Sequence, residues 1–267
     1  MSEAVTTRFD TFISTKEHRR FIEFANAVRT HRYIGLCFGP AGVGKTLSAW
    51  RYADCHRVAE LSHPWKRVKA GDAKIFAALG KSRTLFYTPT IGLSAIALRG
   101  RLKRALEDAG DRLNMNRRGR VIIDIELIIV DEIERLSASA LEALRDLFDR
   151  GEVGLILVGM PGMEKRMARY PQLYSRVGFA HHYRPLQGDE LAFVLARHWR
   201  KLGLSLDAVD FSDTQAVASI ARITGGNFRL LHRLFVQIER ILKINGLTFI
   251  TDEVVNAARS TLVIGTT

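Results

Sequence analysis

The sequence predicts an α/β fold: a parallel sheet sandwiched by helices, then a small helical lid at the C-terminus. Three observations predict it. Short apolar runs alternate with stretches of helical period up to about residue 185. A glycine-rich turn, Gly39-Pro40-Ala41-Gly42-Val43-Gly44-Lys45-Thr46, joins the first of those runs to the helix after it. Beyond Arg184-Pro185-Leu186 the pattern is helical throughout. Strands alternating with helices pair in parallel and are covered on both faces. The expected organisation is a base with an N-terminal helix over residues 1–185 and a lid over 186–267.

Each element has its own signal. Ser14-x-x-Glu17 reads as a capping box opening a helix over Lys16–Thr30, with Phe21, Phe24, Ala25 and Val28 as its apolar stripe. Tyr33–Phe38 reads as a buried strand, and Thr46–Arg57 as the helix behind the glycine turn. Residues 62–82 hold a basic cluster and a short helical candidate, Ala73–Leu79. Thr84–Thr88 is a second strand, stopped by Pro89, and Ile91–Ala109 has helical period. Asn114–Arg120 is a basic loop, Leu127–Val130 the most apolar strand, Ser137–Arg150 a helix and Gly154–Val158 a fourth strand. The lid reads as four helices: Gly188–Leu202, Thr214–Ile223, Asn227–Ile244 and Asp252–Thr261.

Composition narrows the classes. A chain of 267 residues can bury a full core, and no apolar run reaches the 18 residues of a membrane span. The first residues lack the apolar stretch of a secretory signal, and two cysteines, Cys37 and Cys55, make neither a disulfide framework nor a metal cluster. A cytoplasmic protein without membrane contact is expected. Net charge is +12, and residues 51–120 carry 16 basic against 6 acidic side chains, +10 of that total. Concentrated positive charge is the footprint of a polyanion binder, although a solvated basic face would look the same.

The glycine turn fits G-x-x-x-x-G-K-[ST] throughout. Gly42 and Gly44 let successive N–H groups point at phosphate oxygens, and the helix N-terminus adds partial positive charge. Lys45 is expected to reach the β- and γ-phosphates of ATP, and the Thr46 hydroxyl to bind Mg²⁺. The apolar strand Leu127–Val130 ends in Asp131-Glu132, 85 residues beyond Thr46. That places Asp131 at the carboxyl edge of the sheet as a second Mg²⁺ ligand, with Glu132 to orient and deprotonate water. Val121-Ile122-Ile123-Asp124 is a rival run, but it lacks the second acid. Glu134 reads as solvent-facing.

Taken together, these motifs, the helix and strand through Val158 and a helical segment with a Gly-x-x-Arg turn resemble an AAA+ ATPase. Three stretches are similar, more narrowly, to transposon-encoded target-selection ATPases, the group of the phage Mu B protein and the TniB/TnsC-like proteins. They are Leu85–Thr90, Ile128–Leu136, and Gly154–Met160 leading to Leu173-Tyr174-Ser175-Arg176. The resemblance implies that Arg176 is an arginine finger reaching a neighbouring subunit's γ-phosphate, so that Glu132, Lys45 and Arg176 form the catalytic set. It also implies that Arg229, in Gly226-Asn227-Phe228-Arg229, closes over the nucleotide, with Arg222 and Arg233 as rivals. The fourth strand departs from the pattern: it ends Val158-Gly159-Met160 where an Asn or Thr usually positions water. A thioether does this poorly, which predicts slow hydrolysis.

The resemblance further implies double-stranded DNA, a homo-oligomeric ring or filament and a transposase as partners. Thr88, Thr90, Arg117, Arg118 and Arg120 are the candidate contacts to the DNA backbone, a sequence-tolerant mode. The leading expectation is an ATP-dependent DNA-binding regulator of transposition. A helicase loader or initiator ATPase and a protein-remodelling or secretion-associated ATPase are the alternatives.

Overall fold

The computed structural model describes residues 12–55, 80–114, 125–207 and 209–262. The helical candidate Ala73–Leu79, most of the basic cluster of 62–82, the rival Asp124, and Arg117, Arg118 and Arg120 lie outside them. Two compact units emerge, one of residues 1–39 and 45–183 and the other of 40–44 and 184–267. Pro40–Gly44, the middle of the glycine turn, thus groups with the C-terminal helices.

The first unit runs α1 (Lys16–His31), β1 (Ile34–Phe38), α2 (Lys45–Tyr52), β2 (Thr84–Tyr87), α3 (Ala95–Asn114), β3 (Leu127–Val130), α4 (Ala138–Arg150), β4 (Gly154–Gly159), α5 (Met163–Met167), α6 (Pro171–Tyr174) and β5 (Val177–His182). The five strands form one parallel sheet in the order β2-β3-β4-β1-β5. Register sets Leu36 beside Leu157, Leu155 beside Ile128 and Leu157 beside Val130. These side chains share one face with Leu98 and Leu102 of α3 and Leu141 and Leu144 of α4. The other face is closed by α1. A Cβ built on Gly35 of β1 would stand 2.5 Å from Val28 Cγ2 and 2.7 Å from Phe24 Cζ, so the helix lies against bare backbone there. Burial on both faces explains why β1, β3 and β4 read as unbroken apolar runs rather than as alternation.

Differences from expectation sit at element ends. Thr15, not Ser14, caps α1, its side chain accepting from the His18 N–H at 3.0 Å. The Glu17 carboxylate turns away from the cap, towards Arg20 and, at 3.2 Å, His181 Nε2. Helix α2 ends at Tyr52 rather than Arg57, because Asp54 takes a left-handed φ of 53° that breaks the repeat. Helix α3 starts four residues late, at Ala95, where Ser94 Oγ accepts from the Ala97 N–H. Strand β5 was not expected: its burial alternates, as at a sheet edge, so it presents no apolar run.

The second unit contains α7 (Gly188–Lys201), α8 (Phe211–Thr224), α9 (Phe228–Asn245) and α10 (Asp252–Ser260). Asp210, Asn227 and Thr251 cap the last three with side-chain oxygens. Leu231, Leu234 and Ile238 of α9 are fully buried, and Trp199, also buried, donates its indole N–H to Asp213 Oδ1 at 3.1 Å. His198 stacks on Phe235 with centroids 4.3 Å apart, and burial lowers its pKa to about 4.

Candidate nucleotide site

In the first unit the sheet's carboxyl edge collects the charged residues. Lys45 opens α2 but is buried, and its ammonium donates to the Gly39 carbonyl at 2.5 Å. Thr46, the next residue, faces the Asp131 carboxylate, and its hydroxyl lowers that carboxyl's pKa. The two residues singled out 85 positions apart are therefore side by side. Asp131 is 2% exposed. Its Oδ1 accepts from the Glu132 N–H at 2.9 Å, whereas Oδ2 is buried without a well-formed hydrogen bond. Burial pushes this carboxyl above the ordinary aspartate range; the Thr46 hydroxyl and the Glu132 N–H pull it back, and the charges of Glu132 and Glu134 raise it again. An orphaned buried carboxylate oxygen beside a threonine hydroxyl is a donor set that suits a hard divalent cation such as Mg²⁺.

Glu132 follows Asp131 with a left-handed backbone, φ 50° and ψ 50°, and begins the 3-10 turn Ile133–Arg135. Its carboxylate is partly exposed and paired with the guanidinium of Arg135. Glu134 is exposed, as expected, although its Oε2 leans over Gly159 at the end of β4. Met160 follows at 39% exposure.

In the second unit the glycine turn has its own fastening. Gly42 has φ 80°, and a Cβ there would meet Asn227 Oδ1 at 2.5 Å. Gly44 has φ 113°, a conformation that other residues rarely adopt. Asn227 Nδ2 donates to the Ala41 carbonyl at 2.6 Å, and the Arg229 backbone N–H donates to the Gly42 carbonyl at 3.1 Å. Arg229 is thereby brought to the turn, and Asn227, read only as part of a motif, proves to cap α9 and hold the turn at once.

Of the remaining candidates, Thr88 follows Tyr87, whose carbonyl accepts from the Asp131 N–H at 2.9 Å. Arg176 is clasped by Asp149, its Nε at 2.5 Å from Oδ1 and its Nη2 at 2.9 Å from Oδ2, and it also donates to the Gln172 carbonyl. Thr88 and Thr90 are exposed beyond β2, and Thr90 Oγ1 accepts from Arg101 Nη1 at 3.3 Å. Sequence reasoning missed Arg135, Asp149 and a network beneath α2. In that network Ser48 Oγ joins Tyr183 Oη at 2.7 Å and His18 Nδ1 at 3.0 Å. His18 is held neutral, its pKa lowered by burial to about 4. Spacing could have flagged Arg135, three residues from Glu132; nothing local marks the others. Both thiols are free: burial pushes Cys37 upward and Cys55 up to about 12.

Comparison with known proteins agrees with this geometry. A "Potential ATP-binding protein" of Staphylococcus aureus is 42% identical over 97% of this chain and 99% of its own length. The Mu-like prophage FluMu DNA transposition protein B of Haemophilus influenzae is 26% identical over 84% of this chain and 71% of its own. Among solved structures, the Holliday junction branch migration motor RuvB of Thermotoga maritima superposes with a TM-score of 0.56 at 18% identity, covering 95% of this chain and 71% of RuvB. That likeness is one of fold. The AAA domain family matches residues 28–167, just over half the chain, and with the motifs above this protein belongs to it.

Proposed function

We propose that this protein is an ATP-dependent, largely sequence-nonspecific DNA-binding ATPase that oligomerises on double-stranded DNA and regulates the choice of transposition target. The observation that carries the nucleotide part is the meeting of Thr46 with a buried, under-satisfied Asp131 beside a lysine that opens a helix. In this reading residues 1–185 are the base and 186–267 the lid. The Gly39–Gly44 turn, through the backbone N–H groups of its residues other than Pro40, and the Lys45 ammonium hold the triphosphate, and Arg229 adds a cation from the lid. Thr46 and Asp131 would hold Mg²⁺, which supplies charge neutralisation at the β- and γ-phosphates. Glu132 orients the attacking water and accepts its proton, and Arg176 contributes planar, permanently charged donors to a neighbouring subunit's γ-phosphate. With Met160 in place of a polar side chain, turnover is slow.

Three observations support the transposition part: the stretches at 85–90, 128–136 and 154–160 with 173–176, the similarity to a protein named for DNA transposition, and +10 of net charge in residues 51–120. Thr88, Thr90, Arg117, Arg118 and Arg120 are the proposed contacts to DNA phosphates, and a transposase is the proposed partner. Negative-stain imaging with duplex DNA, with and without ATP, tests the reading. ATP-dependent rings or filaments on duplex DNA are expected, and their absence ends it. A preference for single strands would favour the helicase-loader alternative.

A further inference from the structure

Two successive carbonyls of the glycine turn are occupied from the side of α9. Asn227 Nδ2 donates to the Ala41 carbonyl at 2.6 Å, and the Arg229 backbone N–H donates to the Gly42 carbonyl at 3.1 Å. In a trans peptide the C=O and the following N–H share one plane and point in opposite directions. Holding the Ala41 oxygen therefore fixes the Gly42 N–H, and holding the Gly42 oxygen fixes the Val43 N–H, both on the side away from α9. Consecutive N–H groups turned one way around a left-handed residue make an anion-binding nest, and Gly42 has φ 80°. Asn227 is itself fixed. Its Oδ1 accepts from the Arg229 and Leu230 N–H groups at 3.0 and 3.3 Å, and its own N–H donates to the Thr224 carbonyl at 2.9 Å. Gly226, the residue before it, packs so closely on Leu186 that a Cβ there would stand 2.0 Å from the Leu186 oxygen. The asparagine amide thus spends its oxygen on α9 and its nitrogen on the turn. An aspartate would cap the helix equally well but could not donate.

We infer that Asn227 is a positioning residue that shapes the glycine turn into a phosphate nest, holding its carbonyls back so that its N–H groups face the anion. The inference rests on the proposed nucleotide reading and deepens it. Helix α9 contributes to phosphate binding through the shape of the turn, separately from the charge of Arg229. A turn without this hold must give up backbone freedom when the anion arrives, and that cost is read as lost affinity. Asn227 serves the phosphate chain and not the nucleoside, so inorganic triphosphate should feel its loss as ATP does.

The test is the affinity of wild type, Asn227→Ser and Asn227→Asp for a fluorescent ATP analogue, with ATP and inorganic triphosphate as competitors. Melting temperature without ligand is measured on each. Serine caps a helix as well as asparagine does, but its hydroxyl sits one bond short of the amide nitrogen and leaves Ala41 unheld. Losing that neutral hydrogen bond should weaken ATP and triphosphate by the same factor, about three- to tenfold. Asn227→Asp keeps shape and cap and sets a carboxylate against the Ala41 oxygen, so it should lose still more; it decides the matter if Asn227→Ser does not stay folded. A residue that merely caps α9 would lower the melting temperature and leave the affinity of the folded protein unchanged, and that result overturns the inference. So does a loss for ATP that triphosphate does not share, or ATP binding that triphosphate cannot displace. Should wild type bind neither ATP nor triphosphate, the nucleotide reading itself has failed.

Discussion

Asp131→Asn should make the nucleotide-free protein more stable while removing its response to magnesium and ATP. The wild-type carboxylate is buried, one oxygen satisfied by the Glu132 N–H and the other without a well-formed partner. Asparagine keeps the same shape, retains the first contact through Oδ1 and carries no charge to desolvate. Replacing the buried charge with a neutral amide is worth about 1–3 kcal/mol. In a chain of this size that corresponds to a rise in Tm of about 2–8 °C. The gain must depend on pH. Asp131 has a folded pKa raised above its ordinary value of 3.8, chiefly by burial. Below the unfolded value both states are protonated and wild type is not penalised; as pH rises through the folded pKa, stability is lost. The advantage of asparagine should therefore be smallest near pH 4 and largest at neutral pH. Differential scanning fluorimetry across that range measures it. Adding magnesium and ATP should cancel or reverse that advantage: wild type gains about 2.7 kcal/mol at a hundred times Kd, and the variant gains little. An Asp131→Asn protein that melts no higher than wild type at neutral pH without nucleotide would refute the account of the orphaned carboxylate.

Lys45→Ala should abolish nucleotide binding and ATP-dependent assembly together, measured with a fluorescent ATP analogue and by light scattering; assembly without nucleotide binding would contradict the role given to Lys45. Glu132→Gln should retain ATP binding and trap the assembled state, and hydrolysis at the wild-type rate would show that another group activates the water. If about six phosphates are contacted, DNA affinity should fall roughly a thousandfold between 50 and 200 mM salt, read by fluorescence anisotropy; an affinity indifferent to salt would dismiss the basic region as a phosphate-binding surface.

Much of this was legible in one dimension because the signals are local. The G-x-x-x-x-G-K-[ST] pattern needs only a strand before it and a helix after it, and β1 and α2 supply both. Strands buried on two faces announce themselves as apolar runs, which is why β1, β3 and β4 could be read. Strand β5 half-buries only alternate residues, and it escaped notice for that reason. Helix ends moved by up to five residues, because caps and left-handed turns such as Thr15 and Asp54 depend on single backbone angles.

Residue order alone carried the fold class, the AAA domain family and the expectation that Thr46 and Asp131 meet, since a parallel α/β sheet brings the ends of its strands to one edge wherever they fall in the chain. Tertiary structure alone decided what those residues touch. It tied Glu132 to Arg135 and Arg135 to Pro89, clasped Arg176 with Asp149, and fastened the glycine turn to Asn227. Most of these contacts join segments tens to nearly two hundred residues apart, and even the Glu132–Arg135 pair depends on a turn and on rotamers. Such pairings are set by packing and desolvation, for which the local sequence carries no signal.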